Sequence, residues 1–450
     1  MKVLHVSHAL APDSFGGAEL HLRDLVRQQS ATHQLMVLAR EAGGANEQYA
    51  LRDELREGVR VRLFVNTFAD VWRDGFERTY LNPRISAIFA GALEEFRPDV
   101  VHLHHLTALS SDLPMVARAM GVPSVLTLYD FWPFCHRGNL VDRRGRACDG
   151  PELKRCSTCV ADQLLGAGSA PWLGGMLARA HDRPWFEGVR RAVSPLARLA
   201  LRRPEQKTFA PIERRQRALR EALEAVDLLL APSQSLRARY VAEGFSDGRI
   251  LHSPLGFPAT PSVPRVAARQ VRIGFIGRLS PIKGLHLLLS AARSLPKQEY
   301  YLHVFGQWHD DPTWPRYESA MRSLAADLPV AFEGAFPDGQ VFEVMSRLDL
   351  LVVPSLAREN APRVVYEARL AGVPLIGSDV EGVAEIIAPR RDGWIFPSGD
   401  TNALRALLAQ AIQDPPRLRA MKPDRDSVRS LQVQCAELDR HYARLAGRLG

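Results

Sequence analysis

The chain has 450 residues, of which 46% are hydrophobic and 24% charged. This length predicts roughly two or three globular domains, and the composition excludes disordered, collagen-like and repeat proteins. The formal net charge of +8 favours anionic partners, namely nucleic acid, an acidic membrane surface or phosphate-bearing ligands.

Residues 1–6 predict a first buried strand. Their apolar stretch is too short for a secretory signal, because a polar turn follows at 12–14. No apolar run reaches the roughly 18 residues that a membrane span requires. We therefore expect a cytoplasmic protein.

Short β-branched apolar runs then alternate with helical patterns. Strands are predicted at 3–6, 35–38, 61–64, 100–103 and 124–128, with an amphipathic helix near 18–26. Such alternation is typical of a parallel sheet with helices on both faces. The sequence therefore predicts an α/β fold with a Rossmann-like first domain.

Gly16 and Gly17 lie between the first strand and the first helix. Glycines at this position allow backbone N–H groups to approach a phosphate, and a helix N-terminus favours negative charge. The alternative is an ordinary turn between a strand and a helix. The pattern is not GxGxxG, so it does not predict a nicotinamide dinucleotide site.

Three histidines follow the strand predicted at 100–103. His102 and His104 share one face of that strand, whereas His105 is expected in the loop. Histidine can shuttle protons, bind a metal or donate a hydrogen bond. After the next strand, Asp130 either contacts a substrate hydroxyl or caps a helix.

The alternation is interrupted between about 131 and 220. Four of the five cysteines lie here, at Cys135, Cys148, Cys156 and Cys159. Four thiolates that include one CxxC pair predict a structural zinc site. Free thiols and disulfides are the alternatives. A catalytic metal is not predicted, because the four cysteines leave no evident open ligand position.

A basic stretch covers residues 179–220, with 12 Lys or Arg against four acidic residues. It interleaves arginine with aromatic and leucine residues. This composition fits a helix on an anionic membrane surface, and it fits equally a solvated helical face. The first alternative would make the protein peripheral at the inner face of the membrane. Nucleic acid is not an expected partner, since no nucleic-acid module is recognisable.

Four prolines between 254 and 264 predict a linker, after which the strand and helix alternation resumes. Strands are predicted at 271–276, 301–305, 330–332, 350–353, 374–376 and 394–396, and a helix at 427–445. We therefore expect a first domain at 1–255, a second Rossmann-like domain at 256–425 and a C-terminal helix at 426–450.

Two segments of the second domain carry charged residues at loop positions. Arg278 and Lys283 follow its first strand and could grip a diphosphate, although solvated surface charges are the usual alternative. Glu359 and Glu367 are eight positions apart, so both carboxylates could share one helix face. Between them, Asn360-Ala361-Pro362 is typical of a helix N-terminus.

In these motifs the sequence resembles the retaining glycosyltransferases of the GT-B fold, in family four (glycosyl transferases group 1). The resemblance rests on Gly16-Gly17, on Gly277-Arg278-Leu279 with Lys283-Gly284, and on Glu359 with Glu367, all in order. It extends to Asp227, Ala231-Pro232-Ser233, Gly372-Val373-Pro374, Gly382, Glu385 and Gly393. The resemblance implies two Rossmann-like domains that face a central cleft.

The resemblance also implies roles for individual residues. Gly16 and Gly17 would approach the donor diphosphate, which Arg278 and Lys283 would neutralise as it leaves. Glu359 would hold the hydroxyls of the donor sugar, and Glu367 would bind the ribose. Main-chain groups of Asn360 and Ala361 would assist. His104 would lie in the cleft near the donor sugar, while Tyr129 departs from the histidine of many relatives.

The implied activity is that of a hexosyltransferase that needs no divalent metal. It would move a sugar from a UDP- or GDP-sugar to a hydroxyl of a glycan or lipid-linked acceptor in cell-surface polysaccharide assembly. The alternative is a catalytically silent scaffold protein that binds a nucleotide sugar. The intact Glu359, Glu367, Arg278 and Lys283 argue against that alternative.

Overall fold

The computed structural model describes residues 1–14, 16–142, 145–160, 206–260, 268–308, 316–337 and 339–448. Most of the basic stretch at 179–220 and part of the proline-rich linker lie outside these ranges. Within them, none of the helices is long and apolar enough to cross a lipid bilayer.

The first domain is built on an eight-stranded sheet. Its strands are β1 (Lys2–Ser7), β2 (Gln34–Glu41), β3 (Leu51–Arg56), β4 (Val59–Val65), β5 (Val100–Leu103), β6 (Ser124–Thr127), β7 (Leu228–Ala231) and β8 (Ile250–His252). They are ordered β3-β4-β2-β1-β5-β6-β7-β8, and every neighbouring pair is parallel except β3 with β4. The carboxyl ends of the seven parallel strands therefore lie along one edge.

The second domain is built on a six-stranded parallel sheet. Its strands are β9 (Val271–Ile276), β10 (Tyr300–Phe305), β11 (Val330–Gly334), β12 (Leu350–Val353), β13 (Leu375–Ser378) and β14 (Gly393–Phe396). They are ordered β11-β10-β9-β12-β13-β14. Because β9 and β12 are neighbours, the loops that follow them meet at the carboxyl edge of this sheet.

Helices cover both sheets. In chain order they are α1 (Gly17–Gln29), α2 (Ala69–Asp74), α3 (Pro83–Phe96), α4 (Leu113–Ala119), α5 (Leu153–Cys159), α6 (Gln206–Ala225), α7 (Gln234–Ala242), α8 (Leu285–Ala292), α9 (Tyr317–Leu324), α10 (Val341–Ser346), α11 (Arg363–Ala371), α12 (Glu381–Ala384), α13 (Thr401–Gln413), α14 (Pro415–Ala420) and α15 (Leu431–Leu445).

The last helix returns to the first domain. Helix α15 packs against α1 and buries Leu438 and Tyr442 in the same apolar cluster as Val3 and Leu22. The chain thus crosses from the second sheet back to the first. Helix α15 follows the second domain along the chain but packs in the core of the first, so it links the two domains.

Two strands differ from the sequence prediction because they carry little apolar signal. Strand β3 lies at the sheet edge, and its Leu51 and Leu55 are 54% and 76% exposed. It pairs with β4 through charged side chains, such as Asp53 with Arg62 at 2.7 Å. Strand β8 has only three residues. Without burial there is no alternation of apolar and polar residues to detect.

Candidate active site

The glycine loop at the start of α1 faces the second domain. Gly16 precedes the helix in an extended conformation, and a Cβ atom there would overlap the carboxylate of Glu19. At Gly17 a Cβ atom would lie 3.8 Å from the side chain of Arg363, the first residue of α11. A side chain at Gly16 would therefore have to displace Glu19, whereas Gly17 is in ordinary van der Waals contact with Arg363.

Lys283 and Glu359 form an ion pair at the carboxyl edge of the second sheet. The Lys283 Nζ atom lies 2.6 Å from Glu359 Oε1, and the Ser355 hydroxyl donates to the same oxygen at 2.8 Å. The two side chains are 32% and 14% exposed. Because β9 and β12 are adjacent, residues 76 positions apart along the chain meet here.

Gly284 makes this approach of the two loops possible. Its φ angle is +76°, in the left-handed region that glycine adopts without strain. A Cβ atom at this position would overlap the carbonyl oxygen of Pro354, in the loop after β12. The Lys-Gly pair is therefore a structural requirement for bringing Lys283 to Glu359.

Arg278 lies on the same loop and is exposed. It forms no ion pair with any residue in the described part of the chain. Together with Lys283 it supplies two cationic groups at the end of β9. Such a pair of cations is suited to binding a diphosphate.

Asn360 connects the second domain to the first. Its Nδ2 atom donates to the carbonyl oxygens of Leu128 and Tyr129, each at 3.2 Å, and its Oδ1 accepts from the Ser233 hydroxyl at 2.7 Å. These partners follow β6 and β7, so the loop after β12 lies against the carboxyl edge of the first sheet. Ala361 comes next and is half-buried.

The two glutamates do not share one helix face, in contrast to the sequence expectation. Helix α11 begins at Arg363, so Glu359 lies in the loop before it and only Glu367 is helical. Pro362 caps the helix, which is why the helix cannot extend back to Glu359.

Glu367 belongs to an ionic group between the domains. Arg363 Nε donates to Glu367 Oε1 at 3.3 Å, and Arg363 Nη2 donates to Asp24 Oδ2 of α1 at 3.0 Å. Burial raises the pKa of Glu367, and the charge of Arg363 opposes this shift. The carboxylate that was expected to meet the ribose therefore lies beside an arginine that reaches across the cleft.

A second polar contact between the domains caps the N-terminus of α7. The carboxylate of Glu385, which follows α12, accepts from the backbone N–H groups of Gln234 and Ser235 at 2.7 and 2.9 Å. Carboxylates are stabilising at helix N-termini because they meet unpaired N–H groups. The sequence analysis gave Glu385 no role beyond its place in the resemblance.

Three histidines form a buried layer under the carboxyl edge of the first sheet. His5, His102 and His104 have no exposed surface, and their nearest ring nitrogens all lie within 4.8 Å of one another. Burial is the largest cause that lowers the pKa of each, to about 3 for His5. These imidazoles are therefore neutral at neutral pH.

The hydrogen bonds of this layer run in one direction. The Gln434 carbonyl oxygen accepts from the Gly256 N–H and from His21 Nε2, at 2.7 and 2.8 Å, so His21 Nδ1 accepts from the Tyr129 hydroxyl at 2.6 Å. Tyr129 in turn accepts from His104 Nδ1 at 3.4 Å, and His104 Nε2 accepts from His5 Nδ1 at 3.0 Å.

His104 therefore does not lie where the resemblance implied. Its side chain is fully buried beneath Tyr129 instead of lining the open cleft. The Tyr129 hydroxyl accepts a hydrogen bond from the His104 ring nitrogen Nδ1. A side chain with no exposed surface does not touch a substrate in this conformation, so His104 holds Tyr129 in position.

His105 was expected only as a loop residue, but it forms a second polar cluster nearer the surface. Backbone N–H groups of Leu106 and Thr107 donate to His105 Nδ1, which leaves Nε2 to donate to Asp130 Oδ2 at 3.1 Å. The Asp130 side chain is 34% exposed. Because these residues follow the neighbouring strands β5 and β6, strand order was the signal that could have paired them.

The four cysteines of the insertion lie around one cavity. Cys135, Cys148, Cys156 and Cys159 all line it, together with residues of α6. None is in a disulfide bond. Neither Lys283 nor Glu359 lines the cavity.

Two family models match parts of this chain. The family described as Glycosyl transferases group 1 matches residues 261–425, and the family described as Glycosyltransferase Family 4 matches residues 15–161. Between them the two matches include the glycine loop, strands β2–β6 of the first sheet, the Lys283–Glu359 pair and the whole second sheet. The chain belongs to the group 1 glycosyltransferases of the GT-B fold.

Several curated relatives of this glycosyltransferase are themselves glycosyltransferases. The GDP-mannose-dependent alpha-mannosyltransferase of Mycobacterium tuberculosis is 29% identical and aligns over 100% of this chain and 98% of its own. The 2-deoxystreptamine N-acetyl-D-glucosaminyltransferase of Streptomyces fradiae is 26% identical over 90% of this chain and 85% of its own. Other matches are partial, and the first three span only 37–48% of the relatives' lengths.

Solved structures agree on the fold. Anabaena HepE in complex with UDP superposes with a TM-score of 0.63 at 17% identity, covering 99% of this glycosyltransferase and 100% of that chain. Sucrose-phosphate synthase from Thermosynechococcus elongatus gives 0.66 at 16% identity, with the same coverage. At these identities the likeness concerns the fold alone.

Proposed function

We propose that this glycosyltransferase moves a sugar from a UDP- or GDP-sugar to a hydroxyl of a glycan or glycolipid acceptor, with retention of anomeric configuration. The observation that carries the proposal is the Lys283–Glu359 pair, with Arg278 beside it, at the carboxyl edge of the second sheet. One cation and one carboxylate there match the two ends of a nucleotide sugar, its diphosphate and its sugar hydroxyls.

The diphosphate is the part of the donor on which charge develops. Arg278 and Lys283 neutralise it as the bond to the anomeric carbon breaks, and the backbone at Gly16 and Gly17 meets it from the other domain. Fixed cations stabilise such a leaving group without rearranging during the reaction. In this proposal the protein supplies that positive charge itself, so transfer requires no divalent metal.

Glu359 accepts hydrogen bonds from hydroxyls of the donor sugar. Its Oε1 is held by Lys283 and Ser355, which fixes the direction of the carboxylate and leaves Oε2 for the sugar. The adjacent main chain at Asn360 and Ala361 lies just before α11 and assists sugar and phosphate binding. Glu367, one turn into α11, binds the ribose once Arg363 turns toward the diphosphate.

The acceptor hydroxyl approaches from the first domain. Asp130 is partly exposed and oriented by His105, so it can accept a hydrogen bond from that hydroxyl. Retention places the new oxygen on the face of the sugar from which the diphosphate leaves. The departing phosphate oxygen is then the base nearest to the hydroxyl proton and takes it.

The relatives support a glycan acceptor and either nucleotide. One of them is a GDP-mannose-dependent mannosyltransferase, one acts on 2-deoxystreptamine, and Anabaena HepE binds UDP. An amylovoran biosynthesis glycosyltransferase of Erwinia amylovora is 28% identical over 32% of this chain. We place the present chain in cell-surface polysaccharide assembly on this support.

A lipid-linked acceptor would be reached at the inner face of the membrane. The basic stretch at 179–220 is the proposed contact, and its described part carries exposed Arg214 and Arg217 on α6. Cosedimentation with vesicles that contain phosphatidylglycerol, but not with phosphatidylcholine vesicles, is the expected result. Equal binding to both, or to neither, contradicts the membrane contact.

Release of UDP or GDP from a panel of nucleotide sugars, with and without glycan acceptors, tests the activity. We expect turnover with one donor class in the presence of EDTA, and a loss of about 100-fold in Lys283→Ala and Glu359→Gln. Lys297→Ala and Glu299→Gln, exposed at the opposite edge of the sheet, are the matched controls. Nucleotide binding without turnover would favour a silent scaffold, and an inverted product would contradict retention.

A further inference from the structure

The insertion after β6 gathers four thiols at one place. Of the five cysteines in the chain, Cys135, Cys148, Cys156 and Cys159 line a single cavity between this insertion and α6. Cys156 and Cys159 are three positions apart on α5, so their side chains share one face of that helix. Cys135 reaches the cavity from the turn after Phe134, and Cys148 from the short bridge of Val141 with Ala147.

A buried arginine faces the same cavity without a carboxylate partner. Arg215 of α6 is 2% exposed, its Cζ atom lies 4.8 Å from the centre of the Trp132 ring, and its Nη2 donates to the Trp132 carbonyl at 2.6 Å. Its Nε has no hydrogen-bond partner, and it forms no ion pair with the residues that the structure describes. A buried cation without an anion is costly.

A second arginine touches the thiols themselves. Arg155 Nη1 lies 3.6 Å from Cys148 Sγ. Four thiolates around one divalent cation carry a net negative charge, which two nearby guanidinium groups would balance. Neutral thiols would leave the Arg215 charge uncompensated.

We propose that Cys135, Cys148, Cys156 and Cys159 bind one structural Zn²⁺ ion. Four thiolates in a closed tetrahedral site, with no position for a substrate, are the arrangement that Zn²⁺ adopts in structural sites. Lys283 and Glu359 do not line the site, and all four positions on the ion would be filled by cysteines, so the ion would take no part in the transfer itself.

Binding of the ion would require the sulfur atoms to draw closer together. In the described chain the group of three metal-ligating side chains whose atoms lie within 4.8 Å is His5, His102 and His104, not the cysteines. Movement of the thiols into the cavity is expected where metal binding and folding are coupled. The histidine layer is the weaker site, because both ring nitrogens of His102 are already bonded, to Tyr442 and Thr127.

The ion would fix the wall of the cleft that carries Asp130. The Phe131 N–H donates to the Gly138 carbonyl at 3.1 Å, and the Cys135 N–H donates to the Phe131 carbonyl at 2.7 Å. A Cβ atom at Gly138 would lie 2.7 Å from Asp130 Oδ2. The zinc site thus positions the loop from Asp130 to Cys135 on the acceptor side.

Metal analysis of the purified full-length chain tests the proposal. We expect about one zinc per chain, retained through gel filtration, and a sulfur-to-cobalt charge-transfer band after exchange with Co²⁺. The Cys156→Ser/Cys159→Ser variant should lose the metal. Cys435→Ser, which removes the one cysteine outside the cluster, should retain it.

The wild-type protein keeps the test decisive if the double variant does not fold. Removal of the ion by a chelator under reducing conditions should expose four thiols to a thiol reagent and lower Tm, and added Zn²⁺ should reverse both effects. No bound metal with four reactive thiols, two disulfides, or an iron–sulfur cluster with acid-labile sulfide would each overturn the zinc assignment.

Discussion

Asn360 joins the two domains through a single amide side chain. It donates to the carbonyl oxygens of Leu128 and Tyr129 and accepts from the Ser233 hydroxyl. The residue before it is Glu359, so this amide helps to set the position of the Glu359 carboxylate relative to the first domain. Loss of the amide should therefore affect both stability and transfer.

We expect Asn360→Ala to lower the free energy of unfolding by about 1–3 kcal/mol, because buried partners lose their hydrogen bonds. It should also lower kcat/KM at least tenfold, since the cleft is no longer held in register. Chemical denaturation and donor-release assays measure the two effects. Asn402→Ala, on the exposed first turn of α13, is the control, and equal behaviour of the two variants would contradict this role.

The buried histidines predict a pH dependence of stability. Burial lowers the pKa of His5 to about 3 and of His21 to about 4, and it lowers the pKa values of His102 and His104 well below the ordinary value of 6.5. The unfolded chain binds these protons first as pH falls. These histidines therefore leave the free energy of unfolding unchanged above pH 6.5. Below that pH they lower it progressively, because only the unfolded chain takes up the protons.

Denaturant unfolding between pH 7 and pH 5 measures this loss. Each such histidine contributes up to about 1.4 kcal/mol per pH unit once the unfolded state is protonated. His21→Gln should make the dependence shallower because it removes one of the titrating groups. A free energy of unfolding that stays constant over this range would contradict the neutral buried layer.

Among the secondary-structure elements, helix α15 links parts of the molecule that are far apart along the chain. Its Gln434 accepts hydrogen bonds from His21 of α1 and from the Gly256 N–H in the segment that connects the domains. Tyr442, two turns further on, bonds to His102 of β5. One helix therefore forms hydrogen bonds with the first sheet, with α1 and with the segment that connects the two domains.

Gln434→Ala leaves His21 Nε2 and the Gly256 N–H without an acceptor. We expect it to cost about 1–3 kcal/mol for each buried group, measured as the free energy of unfolding. Gln432→Ala, exposed on the same helix, should change stability by less than about 0.5 kcal/mol. Similar losses in both variants would show that helix propensity, and not the buried amide, is responsible.

The elements also show what sequence patterns can and cannot predict. Strands β5, β9 and β12 were predicted with their observed bounds, because fully buried strands are short continuous apolar runs. The edge strand β3 and the three-residue β8 have no such pattern. Helix α15 was predicted to begin at 427. It begins at Leu431 instead, because Ser430 caps its N-terminus.

The candidate site was predictable in part for the same reason. Local motifs identified Arg278, Lys283 and Glu359, and strand order brings their loops together. The contacts made by Glu385 and Asn360 depend on how the two domains meet, which no local pattern contains. His104 was expected in the cleft. Its burial under Tyr129 depends on how side chains pack in three dimensions, which no local pattern in the sequence contains.

Across the molecule, the polar contacts by which described residues of the two domains meet include three that involve the cleft loops and α1. They are Asn360 with the loops after β6 and β7, Glu385 with the start of α7, and Arg363 with Asp24. All three surround the cleft that holds Lys283 and Glu359. Two of them are hydrogen bonds and the third is a largely buried ion pair. A contact surface between domains that relies on so few polar groups allows relative domain motion, so we expect the closure to open for donor and product exchange.

We expect the closed arrangement to depend on the buried Arg363–Asp24 ion pair. Asp24→Asn should remove its charge and widen the distribution of domain distances, with a larger radius of gyration in solution scattering. The exposed Asp426→Asn is the control. Identical scattering profiles for Asp24→Asn and wild type would mean that the other contacts alone hold the domains.

The central claim is that Arg278 and Lys283 grip a nucleoside diphosphate in the cleft between the domains. Calorimetric titration of UDP and GDP into wild type, Lys283→Ala and Lys297→Ala tests it most directly. We predict binding of at least one nucleotide, weakened about tenfold or more by Lys283→Ala, since a charge-assisted hydrogen bond contributes about 1.5–3 kcal/mol. A dissociation constant that is the same in all three proteins would contradict the claim.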